Sequence, residues 1–185
     1  MTGDLAGDPP ATVQRHVYLG HGASGDAASM APFVDGLRKR GLTADSVNLP
    51  VRKAEDAVAV WRASVPDGPG TVVGGQSYGG RVSTLAAAQG AGYAGIVLFC
   101  FPLHPPGRPE NAEARSAHFP SIDCPVLLLS GEADPFAQLD LLRRAVATLP
   151  HGTLVTYPRV GHTMKPVLSD ALDRVAAFVA GLPGR

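Results

Sequence analysis

The chain has only two cysteines in 185 residues, Cys100 and Cys124, too few for a disulfide-built scaffold. On the strand assignment below they fall at opposite ends of neighbouring strands. A bridge needs Cα atoms within about 7 Å, so none is expected, and cysteine usage points to a reducing cytoplasm. Net charge is missing as well. The 16 basic and 16 acidic side chains balance at a pI near 7.0, so no field gathers nucleic acid or an anionic membrane surface. Apolar runs are short: 96–101 and 125–129 fall far below the roughly 20 residues of a bilayer span. There is no repeat and no low-complexity linker. Residues 1–12 are rich in Gly, Asp and Pro, with neither a basic nor an apolar region, so they read as a disordered tail rather than a secretory signal. Residues 13–185 then suit one domain, and an apolar fraction of 45% is enough for a core.

What recurs is a short apolar run followed by a longer amphipathic segment. The runs are 16–19, 46–49, 71–73, 96–101, 126–129 and 153–157, mostly β-branched and bounded by Gly, Pro or Asp, as buried parallel strands are. The periodicity predicts helices over 27–40, 53–64, 78–89, 138–149 and 166–180. Asp26 is placed to cap the first and Gly41 to end it. Alternation of this kind predicts a three-layer, doubly wound α/β fold with a mostly parallel sheet of about six strands. The exception is the Pro-rich connection 102–123. It has room for two helical turns over 111–118 but not for a helical cap.

Gly75-Gln76-Ser77-Tyr78-Gly79 matches G-x-S-x-G. In a chain with 22 glycines the match alone is weak, but it follows an apolar strand and opens a helix, the setting the motif requires. No Gly-Lys-Ser/Thr and no G-x-G-x-x-G is present, so a phosphate cradle has little support. A serine hydroxyl needs a base to take its proton and a third group to orient that base. With this motif the order is serine, acid, histidine. Asp134, just past the fifth strand, is the best acid. His162, just past the sixth, is the best base. Both fall at carboxyl ends of strands, on the sheet edge that carries Ser77. Glu132 is the fallback acid. Asp123 lies at the wrong edge, and Asp140 reads as a solvated helical residue. His16, His118 and His151 read as structural or solvated, and His104 as the next candidate base after His162.

A developing oxyanion needs donors. The backbone N–H of Tyr78 follows the nucleophile, and the loop His21-Gly22-Ala23-Ser24-Gly25 after the first strand offers that of Ala23. His21 reads as an anchor of that loop. With strand order 2-1-3-4-5-6, the switch point between the first and third strands brings Ala23 and Ser77 into one crevice. Phe101 and His104, at the start of the long connection, are expected to line a substrate wall. No metal and no cofactor are expected.

Together these features resemble the α/β-hydrolase fold over roughly 16–180. The stretch Phe101-Pro102-Leu103-His104-Pro105-Pro106-Gly107-Arg108-Pro109-Glu110, with Pro135-Phe136 after the acid, is similar to a smaller dienelactone-hydrolase-like family. That family also includes, in eukaryotes, a chromatin-complex subunit and a testis-expressed protein. Dienelactone hydrolases use a cysteine nucleophile where Ser77 stands here, so their substrate does not carry over. The superfamily's extra N-terminal hairpin is expected to be missing, because about fifteen residues precede the first strand. The resemblance implies a serine hydrolase acting on small ester or thioester substrates through an acyl-enzyme, in an open site. Its partner would be a small-molecule acyl substrate, with no nucleic acid or membrane, and a homodimer is left open. The alternative is a non-catalytic interaction module that keeps the fold. Loss of Ser77, Asp134 or His162 would have signalled it, and all three are present.

Overall fold

A computed structural model describes residues 14–184. The expected tail, 1–12, lies outside the described residues, as do residues 13 and 185. Six parallel strands form one sheet, as the alternating pattern predicts, and their order is β2-β1-β3-β4-β5-β6, the one assumed above for the switch point. They are β1 (His16–Gly20), β2 (Thr43–Val47), β3 (Thr71–Gln76), β4 (Gly95–Phe99), β5 (Val126–Gly131) and β6 (Gly152–Tyr157). The helices are α1 (Ala31–Arg38), α2 (Ala54–Ser64), α3 (Tyr78–Ala88), α4 (Ala112–Ser116), α5 (Leu139–Val146) and α6 (Leu168–Gly181). Among the described residues no helix is long and apolar enough to cross a membrane, and no cap domain stands over the sheet.

The strands read as continuous apolar runs because both faces of the sheet are covered. Side chains alternate between two cores. Val72, Val97, Leu127 and Leu129 pack beneath α1 and α6, while Val73, Ile96, Leu98 and Leu128 pack beneath the helices of the other face. Trp61 of α2 is fully buried in the second core, its indole N–H donating to the Tyr93 hydroxyl at 3.2 Å.

Several elements depart from their sequence expectations, and at three of them the local reason is clear. β2 starts three residues earlier than the run 46–49, because it is an edge strand that buries only Ala44 and Val47. Its Asp45 faces outward to His16 Nε2 at 2.6 Å and to the Arg38 guanidinium at 2.7 Å. β4 stops at Phe99 rather than 101, because Cys100 adopts φ 52 and turns the chain out of the ladder. The first helix opens as a 3-10 turn, Ala27–Met30, before α1; the Asp26 side chain accepts from Ser29 N as expected. The connection from β4 to β5 contains 3-10 turns on either side of α4, a single short helix.

Candidate active site

The path from β3 into α3 is a sharp turn at Ser77, which sits at φ 49, ψ −108, a conformation rare outside glycine. Three backbone hydrogen bonds hold it there. Ser77 N donates to Phe99 O at 2.8 Å, Gly79 N to His21 O at 2.9 Å, and Arg81 N to Ser77 O at 3.0 Å. The flanking glycines are required by close approach. A Cβ on either Gly75 or Gly79 would run into the backbone of Gly20 at the end of β1. The strain is therefore set by the packing of β1 against the turn, and it presents the Ser77 hydroxyl above the sheet edge.

The residues singled out from the sequence meet at that point. His162 Nε2 lies 2.9 Å from Ser77 Oγ, and His162 Nδ1 lies 2.9 and 2.8 Å from the two carboxylate oxygens of Asp134. The Asp134 side chain is fully shielded from solvent, while that of His162 is 21% exposed. The carboxylate is held in turn, since Oδ1 accepts from Phe136 N at 2.8 Å. Two loops converge here, the one after β5 carrying Asp134 and the one after β6 carrying His162. They are joined by Ala133 N donating to Val160 O at 2.9 Å, and Gly131 is needed beneath them because a Cβ would strike the backbone of 160–161. The geometry fixes the tautomer. An Nδ1–H donating to the carboxylate leaves Nε2 as acceptor for the serine hydroxyl. The arrangement can therefore withdraw a proton from Ser77 and stabilise the imidazolium that forms.

Cys100 lies behind this pair. Its thiol, the Asp134 carboxylate and a His162 ring nitrogen are all within 4.8 Å of one another, the one grouping of potential metal ligands among the described residues. Burial, with the nearby Asp134 charge second, pushes the thiol up to about 12. A protonated thiol is a poor metal ligand, and the imidazole is already engaged on both sides, so these donors suit proton relay better than ion binding.

An open crevice of about 440 Å³ leads to Ser77, lined by Ala23, Ser77, Tyr78, Pro102, Pro105 and Phe136 among others. Ala23 occupies a corner of a turn closed by Gly25 N donating to Gly22 O at 3.0 Å. Tyr78 is the first residue of α3, where a backbone N–H has no carbonyl within the helix to meet. Both therefore stand at the crevice with Ser77. His21 anchors the loop: Nδ1–H donates to Gly22 O at 2.8 Å, and Nε2 accepts from Leu49 N at 3.0 Å.

Phe101 and His104 are placed elsewhere than the expected substrate wall. Phe101 is fully buried against Phe119, ring centroids 5.1 Å apart. His104, 1% exposed, donates from Nδ1 to Pro105 O and accepts from Gln138 N, which staples the long connection to the loop after β5. Their neighbours Pro102 and Pro105 line the crevice instead. Arg52, Lys53, Glu55, Arg81 and Arg115 complete its wall, and none of these stands out in the sequence. Arg81 alone could have been found, four residues after Ser77 and so on the same helical face. Glu132 bonds Thr156 at the surface and Asp140 pairs with Arg143, so neither reaches His162. A larger depression of about 630 Å³ opens at the opposite sheet edge beside Asp123, remote from Ser77, His162 and Asp134.

A family model described as an alpha/beta hydrolase domain matches residues 43–179. No curated protein matches the sequence. Solved structures share the fold at low identity. The monoacylglycerol lipase of Paleococcus ferrophilus superposes with a TM-score of 0.76 at 14% identity, over 89% of this chain and 93% of its own. A predicted CIB-like hydrolase from Thermoplasma acidophilum gives 0.75 at 16%, over 93% and 89%. Esterase 2 of Thermogutta terrifontis, phosphonylated by sarin, gives 0.73 at 16%, over 97% and 89%. The switch-point crevice, the strained serine turn and the strand order agree with the family match, and the chain belongs to the alpha/beta hydrolase domain family.

Proposed function

We propose that this alpha/beta hydrolase is a cofactor-independent serine hydrolase acting on small esters or thioesters, over 13–185 as one domain. The observation that carries the reading is the unbroken hydrogen-bonded chain from Ser77 Oγ, which lines an open crevice, through His162 to buried Asp134. Ser77 Oγ attacks the carbonyl carbon while its proton passes to His162 Nε2. The negative charge that develops on the carbonyl oxygen is met by the N–H groups of Tyr78 and Ala23. Collapse breaks the bond to the alcohol or thiol, which leaves with the proton from His162. Water, activated by the same imidazole, then attacks the acyl-enzyme and releases the acid. Asp134 holds the ring in the productive tautomer and stabilises its charged form.

Two neighbours of the same fold, a lipase and an esterase that sarin phosphonylates, lend the reading support by analogy of fold. On the stretch 101–110 and Pro135-Phe136 we also assign the chain to the dienelactone-hydrolase-like branch, and on cysteine usage to the cytoplasm. A fluorophosphonate probe tests the reading. Wild type should be labelled and Ser77→Ala should not. Absence of labelling, or labelling that persists in Ser77→Ala, overturns it in favour of a non-catalytic module.

A further inference from the structure

The chain as a whole carries no net charge, yet the wall of its crevice carries four cations, Arg52, Lys53, Arg81 and Arg115, against one carboxylate, Glu55. The inner pair is built in. Arg81, its side chain 13% exposed, donates to Glu55 Oε1 at 2.7 Å and to Arg115 O at 2.9 Å. Arg115 donates to Pro102 O at 3.2 Å, which ties its guanidinium to the start of the long connection. Burial, and next the Arg81 charge, depresses the Arg115 pKa, so the two guanidiniums feel one another. Glu55 is 56% exposed and neutralises only one of them. Arg52 and Lys53 lie at the exposed rim, immediately before α2.

A neutral acyl chain gains nothing from such a wall, and a crevice of one sign between low-dielectric walls concentrates ligands of the other. We propose that the substrate of Ser77 carries an anionic oxygen group, a carboxylate or a phosphate, seated on Arg81, Arg115 and the Arg52–Lys53 rim while its ester or thioester carbonyl meets Ser77. The proposal rests on the hydrolase reading and narrows its substrate class. A planar guanidinium pairs with two oxygens of a carboxylate or a phosphate in a bidentate manner, which gives orientation as well as attraction.

Two matched pairs of substrates test it and separate the sources of the anion. Monoethyl adipate against ethyl hexanoate places a carboxylate on the acyl side. Acetyl-coenzyme A against S-acetyl-N-acetylcysteamine places phosphates on the leaving group. In at least one pair kcat/KM should favour the anion about tenfold or more, and the preference should shrink as salt rises. Arg115→Gln should lower that ratio towards one. The double variant Arg52→Gln/Lys53→Gln, confined to exposed positions, should lower it several-fold. Structural damage would depress both members of a pair together and leave the ratio intact. Equal rates within both pairs, or a ratio that neither variant moves, overturns the proposal while leaving Ser77-dependent hydrolysis standing. If neither pair is turned over, fluorophosphonate labelling of Ser77 decides the hydrolase reading, and anion binding is read directly. Shifts of the Arg81 and Arg115 guanidinium N–H resonances on titrating Ser77→Ala protein with glutarate, and separately with inorganic phosphate, support the site; no shift with either removes it.

Discussion

Phe136 holds both partners of the acid–base pair: its backbone N–H donates to Asp134 Oδ1 at 2.8 Å, while its ring lies over the His162 imidazole, centroids 4.3 Å apart and planes 35° apart. The first contact belongs to the main chain and survives substitution. The second belongs to the side chain and covers one face of a ring whose angle sets the distance to Ser77. Misplacement of a reacting group by about an ångström can lower rates about a hundredfold. Phe136→Ala is therefore expected to lower kcat for p-nitrophenyl acetate by roughly ten- to a hundredfold with a smaller change in KM. Phe136→Leu should recover part of the loss. A change confined to KM would show that the ring lines the crevice without positioning the base.

His162→Ala should remove p-nitrophenyl acetate turnover above background, because Ser77 then has no acceptor for its proton. His104→Ala should act differently. Its ring joins Pro105 and Gln138 within the core, so the expected effect is on the unfolding midpoint. Urea titration beside steady-state kinetics distinguishes the two. Persistent turnover in His162→Ala would move the base to another group.

Close approach makes the glycines at the serine turn unequal to others in the chain. A Cβ on Gly79 would meet backbone atoms of Gly20, which cannot rotate away, whereas one on Gly181 at the end of α6 meets nothing within 4 Å. Gly79→Ala is expected to destabilise by about 3 kcal/mol or more. Gly181→Ala should be neutral or stabilise by up to about 1 kcal/mol through helix propensity. Thermal or urea unfolding of the two variants checks the contrast.

The sheet order, the helix succession and the Ser77–His162–Asp134 set were all legible in the sequence. The helix succession and the polar set depend on local patterns, namely apolar runs, caps and polar residues at the carboxyl ends of strands, while the sheet order came with the fold those patterns resemble. What was not legible depends on tertiary packing. The positive φ of Cys100 is imposed by the exit of the chain from β4, and it shortens a strand whose apolar pattern runs on through Phe101. The same exit turns Phe101 and His104 inward and leaves Pro102 and Pro105 at the crevice, a reversal that residue type does not reveal. Arg115 joins Arg81 only because the long connection between β4 and β5 returns past α3, bringing residues 34 positions apart into hydrogen-bond contact.

Burial places the Cys100 thiol at about 12, so it remains protonated and shielded at neutral pH although it lies beside the acid–base pair. Alkylation requires the thiolate. Brief treatment of native protein with iodoacetamide should leave Cys100 unmodified, and the same treatment in denaturant should modify it. Peptide mass spectrometry reads both outcomes. Rapid native-state alkylation at Cys100 would show that the site opens to solvent.

His118 provides a pH dependence of definite sign. Burial, and next the Arg81 charge, lowers its pKa from 6.5 to about 4, and its Nε2–H donates to Thr84 Oγ1 at 2.9 Å. Between those two values the unfolded chain binds a proton that the folded chain refuses. Stability contributed by neutral His118 is thus fully present above about 6.5 and is lost as pH falls towards 4. Wild type should show a falling urea midpoint between pH 7 and pH 5, on the order of what one buried histidine supplies. His118→Gln keeps a donor for Thr84 and cannot be protonated, so its midpoint should fall less over the same interval. The difference between the two slopes isolates His118 from every other titrating group. Parallel slopes would mean that His118 is solvated in the folded protein.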